Sequence, residues 1–181
     1  MTPTVSPLNN HTPQWTAPAS VVLMNWNAVG ATPAVERWSA IPAGASAMIY
    51  ILEDNDERVR QFREAAARIA PDMPVRFWRS AHEMIADLAD GLEHASIISL
   101  DHDLHRFGDE PDPGTGYDVA KLLEELIPCC PIVIHTSNGE RRTWMEGALQ
   151  HAGWKYDHVY PFGDDWIAKD WAPLVRRRLG R

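Results

Sequence analysis

The chain has 181 residues, 45% of them hydrophobic, and a formal net charge of −8 at pH 7. These values fit one globular domain with an extension. No apolar run reaches the roughly 18 residues that span a bilayer, and no signal-peptide pattern opens the sequence, so we expect a cytoplasmic protein without a membrane partner. The acidic balance excludes general DNA binding, although a divalent metal could still recruit a small phosphorylated ligand.

The first 46 residues differ in composition from the rest of the chain. They contain six of the fourteen prolines and only two charged side chains, Glu36 and Arg37. Such a composition is typical of irregular polypeptide. We therefore hypothesise that residues 1–46 are a dispensable Pro-rich extension and that residues 47–181 form the folded domain.

From Ala47 onward, apolar strand patterns alternate with amphipathic helix patterns. The predicted strands cover about 48–53, 74–78, 95–101, 131–135 and 157–161. The predicted helices cover about 56–70, 80–91, 116–127, 139–152 and 165–179. Five βα units predict an α/β fold of flavodoxin type, a five-stranded parallel sheet in the order 2-1-3-4-5 with helices on both faces.

Three of the predicted strands end on polar clusters. The first ends on Glu53-Asp54, the third on Asp101-His102-Asp103, and the fourth on the segment 135–138, His-Thr-Ser-Asn. Right-handed crossovers bring the carboxyl ends of parallel strands to one edge, where ligands bind at the point of strand-order reversal. Because strands one, three and four are neighbours in the predicted order, we expect a single site.

The carboxylates of this edge predict a metal site. Glu53, Asp54 and Asp101 would crowd negative charge into a small volume, which a cation relieves. Mg²⁺, held by a few carboxylates and waters, is the expected ion, and it would engage a phosphate. An alternative is that Asp54 caps the following helix while Glu53 faces solvent.

The histidines of the same edge are candidates for proton transfer. We expect His135 and His102 to act as acid or base, with Asp103 orienting His102. The polar groups that follow His135 would position phosphate oxygens: Thr136, Ser137 and Asn138. Ser137 or Asn138 at a helix start is also an expected N-cap, and a lone histidine at a strand end is often structural.

The remaining features have structural interpretations. Thr115 and Asp118 form a predicted capping pair, and the long polar loop 104–113 is a candidate lid. The adjacent Cys129 and Cys130 are predicted to be small thiols of the core. Five tryptophans are predicted to pack in the core or between helices, although any one of them could instead stack a base: Trp78, Trp144, Trp154, Trp166 and Trp171.

With these motifs in place, residues 48–179 resemble the cyclic-phosphate processing receiver domain family. The resemblance rests on Leu100-Asp101-His102-Asp103-Leu104, on Thr115-Gly116-x-Asp118-Val119-Ala120, on the 135–138 segment, and on Met145…Leu149…Gly153-Trp154. It implies a receiver-like fold and a role in handling cyclic phosphates, phosphorylated nucleotides or RNA ends.

Ordinary response-regulator receivers provide a second comparison. Glu53-Asp54 resembles their acidic pair, Asp101 falls where their phospho-accepting aspartate lies, and Thr136 or Ser137 matches their switch hydroxyl. Tyr160-Pro161 stands where such receivers carry a lysine, which disfavours stable phospho-aspartate signalling.

These expectations combine into one functional hypothesis with two alternatives. The first is metal-dependent hydrolysis of a cyclic or terminal phosphate on a nucleotide or RNA end, with Mg²⁺ or another divalent cation as cofactor. The alternatives are a degenerate receiver signalling through phospho-Asp101, and a non-catalytic phosphate-ligand sensor. A homodimer is left open.

Overall fold

The computed structural model describes residues 47–106 and 108–181, so the hypothesis of an N-terminal extension lies outside the described residues. The strands are β1 (Met48–Leu52), β2 (Val75–Trp78), β3 (Ala95–Leu100), β4 (Ile132–Ile134) and β5 (Tyr156–His158). The helices are α1 (Asp56–Ile69), α2 (Ala81–Gly91), α3 (Gly116–Glu124), α4 (Gly139–His151) and α5 (Ala172–Arg178). A short 3-10 turn (Leu92–His94) follows α2, and a π-helical turn (Ile167–Trp171) leads into α5.

The five strands form one parallel sheet in the order β2-β1-β3-β4-β5. This is the predicted flavodoxin-like order, and it confirms the prediction of fold class. The central strands β3 and β4 are almost wholly buried, as their near-continuous apolar sequences require in a sheet covered on both faces.

Helices cover both faces of the sheet and define two cores. On one face, α2, α3 and α4 pack against residues such as Ile98, Leu100 and Ile134. On the other, α1 and α5 pack against Ile97 and Val133. Because successive strand residues point to opposite faces, Ser99 projects toward the α1–α5 side, where it meets Trp171.

The last strand lies earlier in the chain than predicted. It covers Tyr156–His158 instead of about 157–161, although the Val159 amide still donates to the Ile134 carbonyl at 2.8 Å. Pro161 has no amide hydrogen and cannot extend the pairing. The sheet therefore ends on this side before the exposed segment that contains Tyr160 and Phe162.

One side-chain prediction needs correction. Cys130 is buried as expected, but its neighbour Cys129 is exposed. Four of the five tryptophans named above are buried, and Trp144, which is 41% exposed, packs against Tyr117 on the neighbouring helix with ring centroids 5.9 Å apart. Within residues 47–106 and 108–181, no helix combines the length and apolarity needed to cross a membrane.

Candidate metal and phosphate site

Backbone pairing places the three polar strand ends side by side. The Asp101 amide donates to the Leu52 carbonyl at 3.1 Å, and the His135 amide donates to the Leu100 carbonyl at 2.9 Å. Asp101 and His135 therefore each follow directly on a strand, as does Glu53 after β1. The register of the sheet alone brings these three residues to one edge.

Their side chains form a buried group. Glu53 and His135 are fully buried and Asp101 is 4% exposed. One ligand atom from each of the three residues lies within 4.8 Å of the others, which is close enough for a single metal ion to contact all three. The predicted convergence of β1, β3 and β4 is thus present in the structure.

His135 is held by a chain of hydrogen bonds in the α1–α5 core. Its Nδ1 lies 2.9 Å from the Ser99 hydroxyl, and the Trp171 indole donates to that same hydroxyl at 2.9 Å. The imidazole stacks on Trp166 and contacts the ring of Phe62. When Nδ1 carries the proton and donates to Ser99, the lone pair of Nε2 is directed at the carboxylates.

Arg58 closes the site from the first turn of α1. Its guanidinium lies 3.2 Å from an Asp101 carboxylate oxygen and 3.5 Å from a Glu53 oxygen. The local fold fixes its backbone, because the Asn55 side chain caps α1 by accepting from the Arg58 amide at 3.0 Å. In this structure Arg58 is thus the cation that neutralises the two carboxylates.

The two carboxyl groups differ in their pKa. Burial raises the pKa of Asp101 to about 6, a rise that the Glu53 charge reinforces and that His135 and Arg58 oppose. Burial also tends to raise the pKa of Glu53, but the neighbouring His135, the Asn55 amide and Arg58 together hold it below its ordinary value. A bound cation would stabilise the ionised forms of two carboxylates that are buried and close to each other.

Two buried atoms of the group lack hydrogen-bond partners among the described residues. They are Oε2 of Glu53 and Nε2 of His135, which lie 3.4 Å apart. Buried polar atoms are rarely left in this state. Two carboxylates and one imidazole fit a divalent metal ion, and the unpaired atoms are two of the ligands it would need.

The structure does not bring Asp54 into this group. Asp54 is 2% exposed, but one of its carboxylate oxygens accepts from the His105 amide at 2.6 Å and lies 2.9 Å from the His105 ring. Asp54 thus anchors the start of the loop that follows β3, which is part of the predicted lid. Its role as a metal ligand stays a prediction.

The remaining predicted site residues differ in burial and in the contacts of their side chains. The His102 ring is buried and its Nδ1 lies 2.9 Å from the exposed Asp103 carboxylate, as expected of an oriented base. Thr136 is buried and its hydroxyl accepts from the Asn138 amide. Asn138 caps α4 by accepting from the Arg141 amide, and Ser137 is exposed, so the capping alternative applies to Asn138.

The strand-five lysine of ordinary receivers has no counterpart here. The chain contains three lysines. Lys121 pairs with Asp118 on α3, Lys169 pairs with Asp165, and Lys155 lies at the opposite end of β5. Arg58 supplies the positive charge at the site instead.

Three residues that support the site were not predicted from the sequence: Arg58, Ser99 and Trp171. Ser99 and Trp171 are 72 residues apart in the chain, so only the fold reveals their contact. Arg58 did leave a signal, because a cation in the first turn of a helix opposes the helix dipole and needs a compensating partner.

The fold and the buried acidic edge define a receiver-like α/β domain. The model of the cyclic-phosphate processing receiver domain matches residues 48–151, which is more than half of the chain. The chain therefore belongs to this family. No curated protein matches the sequence at a significant level.

Solved receiver domains share the fold at low sequence identity. A response regulator receiver domain from Rhodospirillum rubrum is 20% identical with a TM-score of 0.51, over 72% of this chain and 89% of that one. The response regulator domain of Thermotoga maritima CheB is 16% identical with a TM-score of 0.53, over 75% and 97%. The Mn²⁺-bound form of response regulator Rcp1 is 17% identical with a TM-score of 0.52, over 72% and 90%.

Proposed function

We propose that this chain is a metal-dependent phosphoesterase that hydrolyses a cyclic or terminal phosphate on a nucleotide or an RNA end. The observation that carries the proposal is the buried group of Glu53, Asp101 and His135, with its two unpaired ligand atoms. It lies at the edge of the sheet where α/β proteins bind ligands. Family membership supports the substrate class.

In this proposal, Glu53, Asp101 and His135 hold the ion. Mg²⁺ suits the two carboxylates, and Mn²⁺ suits the mixed set better because it accepts imidazole more readily. When bound, the ion would neutralise charge on the phosphoryl group and lower the pKa of water. The direction of Nε2 favours His135 as a metal ligand over the acid–base role expected from sequence.

The proton transfers are assigned to His102. Asp103 contacts Nδ1 of its ring, which leaves Nε2 available to exchange a proton. His102 accepts a proton from the attacking water and returns it to the departing sugar oxygen. One P–O bond forms and one breaks, so a cyclic phosphate and one water give one phosphomonoester.

Arg58 changes partners in this proposal. A cation bound by Glu53 and Asp101 repels the guanidinium, and 37% of the Arg58 side chain is already exposed. Guanidinium groups bind phosphate oxygens with two parallel hydrogen bonds. With an ion bound, Arg58 would be free to leave the carboxylates and hold the substrate phosphate, and Thr136 keeps its predicted role of positioning a phosphate oxygen.

Product formation tests the proposal. The full chain, stripped with chelator and reloaded with Mn²⁺ or Mg²⁺, is incubated with 2′,3′-cyclic nucleotides and with RNA ending in a 2′,3′-cyclic phosphate. Phosphorus NMR follows the phosphomonoester. We expect metal-dependent turnover that Glu53→Gln abolishes and that His102→Gln lowers by about a hundredfold or more.

The matched control is Glu57→Gln, which removes an exposed carboxylate four residues away. It should leave turnover unchanged. Absence of turnover across the panel, in protein shown by titration to hold the metal, would overturn the hydrolase proposal.

A degenerate receiver is the second candidate, favoured by the position of Asp101 at the end of β3. It predicts that a small phosphodonor labels the chain and that Asp101→Asn abolishes the labelling. The absent lysine weighs against it. Tight binding of cyclic phosphates without turnover or labelling would instead support a sensor.

A further inference from the structure

Trp171 is fully buried in the α1–α5 core, and its indole N–H donates to the Ser99 hydroxyl at 2.9 Å. An indole nitrogen can only donate, so this contact occupies one lone pair of the hydroxyl oxygen. The same hydroxyl lies 2.9 Å from Nδ1 of His135. Trp171 therefore contacts, through one shared oxygen atom, the polar group that supports the His135 ring.

An irregular turn of helix brings Trp171 to this position. The turn Ile167–Trp171 is π-helical, and the Ala172 amide that follows it donates to the Ile167 carbonyl, five residues back. Around an α-helix, residues five apart lie about 140° from each other, on different faces. The wider π-helical turn places them nearly in line, and such turns are frequent at functional sites. It allows Trp166 and Trp171 to face the same core.

The two tryptophans and Phe62 enclose the His135 ring. Trp166 stacks on the imidazole with ring centroids 5.7 Å apart, and the Phe62 ring lies 5.1 Å from it. Phe62 in turn contacts both indoles, at 5.6 Å from Trp166 and 4.8 Å from Trp171. All four rings are buried. Because buried side chains are closely packed, the imidazole cannot turn away from the two carboxylates without displacing a neighbour.

Ser99 is the part of this arrangement that a hydrogen bond must fix. A serine side chain has three staggered rotamers, and each places the hydroxyl oxygen differently. The hydrogen bond from Trp171 stabilises the rotamer observed here, because rotation of Ser99 would leave the buried indole N–H without its acceptor. With Ser99 fixed, Nδ1 of His135 keeps its partner and Nε2 stays 3.4 Å from the Glu53 carboxylate.

A fixed imidazole affects which ions the site favours. Mg²⁺ is a hard ion that binds oxygen ligands and keeps several waters. Transition ions such as Mn²⁺ and Zn²⁺ accept imidazole nitrogen more readily than Mg²⁺ does. The contacts that hold His135 among the carboxylates therefore favour a transition ion over Mg²⁺.

From these contacts we infer that Trp171 is a positioning residue that determines the metal preference of the site, because it keeps the Ser99 hydroxyl on Nδ1 of His135 and so favours an imidazole-binding ion over Mg²⁺. The inference rests on the proposed function, since it takes Glu53, Asp101 and His135 as ligands of the ion. It narrows the proposed cofactor to a transition ion. The indole acts through Ser99.

Calorimetry of the full chain, stripped with chelator and titrated with Mn²⁺ or with Mg²⁺, tests the inference. Trp171→Phe keeps an aromatic ring in the core and removes the indole N–H. We expect this variant to bind Mn²⁺ about three- to tenfold more weakly, which is the usual contribution of one hydrogen bond. Its affinity for Mg²⁺ should change by less than about twofold, because Mg²⁺ gains little from imidazole. The preference for Mn²⁺ over Mg²⁺ should therefore fall.

Trp154→Phe is the matched control. The Trp154 indole is also buried and donates to the Leu123 carbonyl at 2.7 Å, in the core on the other face of the sheet. Its replacement removes a hydrogen bond of the same kind from the fold and should leave the affinities for both ions unchanged. In a Ser99→Ala background, Trp171→Phe should weaken Mn²⁺ binding no further, because the two residues act through one chain of hydrogen bonds.

A second measurement needs no metal. Long-range proton–nitrogen NMR spectra of the stripped protein report the hydrogen bonding of Nδ1 of His135. Trp171→Phe should shift this resonance, whereas Trp154→Phe should not. Wild-type protein that binds neither ion would refute the proposed metal site itself. Wild-type protein that binds Mn²⁺ but shows no dependence on Trp171 would refute only the inference, so the two failures are distinguishable.

Three results would overturn the inference. One is equal weakening of Mn²⁺ and Mg²⁺ binding in Trp171→Phe, which would mean that the indole only supports the fold. Another is an unchanged Mn²⁺ affinity in that variant. The third is an additive effect of Trp171→Phe and Ser99→Ala, which would mean that the indole does not act through the Ser99 hydroxyl.

Discussion

Replacing Asp101 with asparagine should make the metal-free protein gain stability relative to the wild type as the pH rises from about 4 to 7. The ionised Asp101 carboxylate is buried beside Glu53, and burial raises its pKa to about 6. In the unfolded chain the same carboxyl group titrates near the ordinary value of 3.8. Between these two values the folded chain binds more protons than the unfolded chain, so stability falls as pH rises.

The size of the effect follows from the two pKa values. Each pKa unit is worth about 1.4 kcal/mol, so ionised Asp101 lowers the free energy of unfolding by about 3 kcal/mol once the pH exceeds about 7. Asparagine does not titrate. The stability of Asp101→Asn relative to wild type should therefore increase by up to about 3 kcal/mol between about pH 4 and pH 7.

Urea unfolding of the full chain in chelator, repeated across this pH range, measures the difference. Taking the difference between variant and wild type removes the titration of the groups that do not interact with Asp101. Asp103→Asn is the matched control, because its carboxylate is adjacent but 53% exposed. Because Asp103 is exposed to water, its replacement should not reproduce the rise expected for Asp101→Asn.

Addition of Mn²⁺ at neutral pH should stabilise the wild type more than Asp101→Asn. The ion stabilises the wild type by mass action and has lost a ligand in Asp101→Asn. A relative stability of Asp101→Asn that stays constant or falls from pH 4 to pH 7 would refute the reasoning, as would equal stabilisation of both proteins by Mn²⁺.

Three other substitutions test separate contacts. Arg58→Gln should tighten Mn²⁺ binding, measured by calorimetry, by about fivefold, because a partly exposed ion pair is worth about 1 kcal/mol. Weaker binding would contradict the proposal that Arg58 and the ion compete for the carboxylates. Ser99→Ala should weaken Mn²⁺ binding by about 10- to 100-fold, because it removes the hydrogen bond that orients the His135 ring. An unchanged affinity would argue against this role of Ser99. Gly116→Ala should lower the free energy of unfolding by about 1–3 kcal/mol or more in urea. Gly139→Ala serves as the control, because a Cβ at that position meets open space, and it should leave the free energy of unfolding unchanged.

The strand order was predictable from the sequence because several independent signals agree. Apolar runs, helix periodicity and turn residues each indicate the same alternation of strands and helices. Once five βα units are given, right-handed crossovers leave few arrangements, and polar clusters after three strands favour the one with those strands adjacent. This is why Glu53, Asp101 and His135 could be grouped before the structure was known.

The details of the site depended on contacts that no local pattern records. Asp54 and Glu53 are adjacent in sequence, yet Asp54 bonds to His105 while Glu53 contacts His135. Which of two neighbouring carboxylates enters a site depends on side-chain direction and on the path of a distant loop. The exposure of Trp144 is similar, because helix periodicity does not show whether a neighbouring helix covers a given face.

Diffraction from crystals of the full chain soaked with Mn²⁺ tests the central claim most directly, because the ion is identified by its anomalous signal. We expect one strong peak bound by Glu53, Asp101 and Nε2 of His135, with the Arg58 guanidinium displaced from the carboxylates. A peak at Asp54 without His135, or no peak at saturating Mn²⁺ with Arg58 still paired to Asp101, would contradict the proposed metal site.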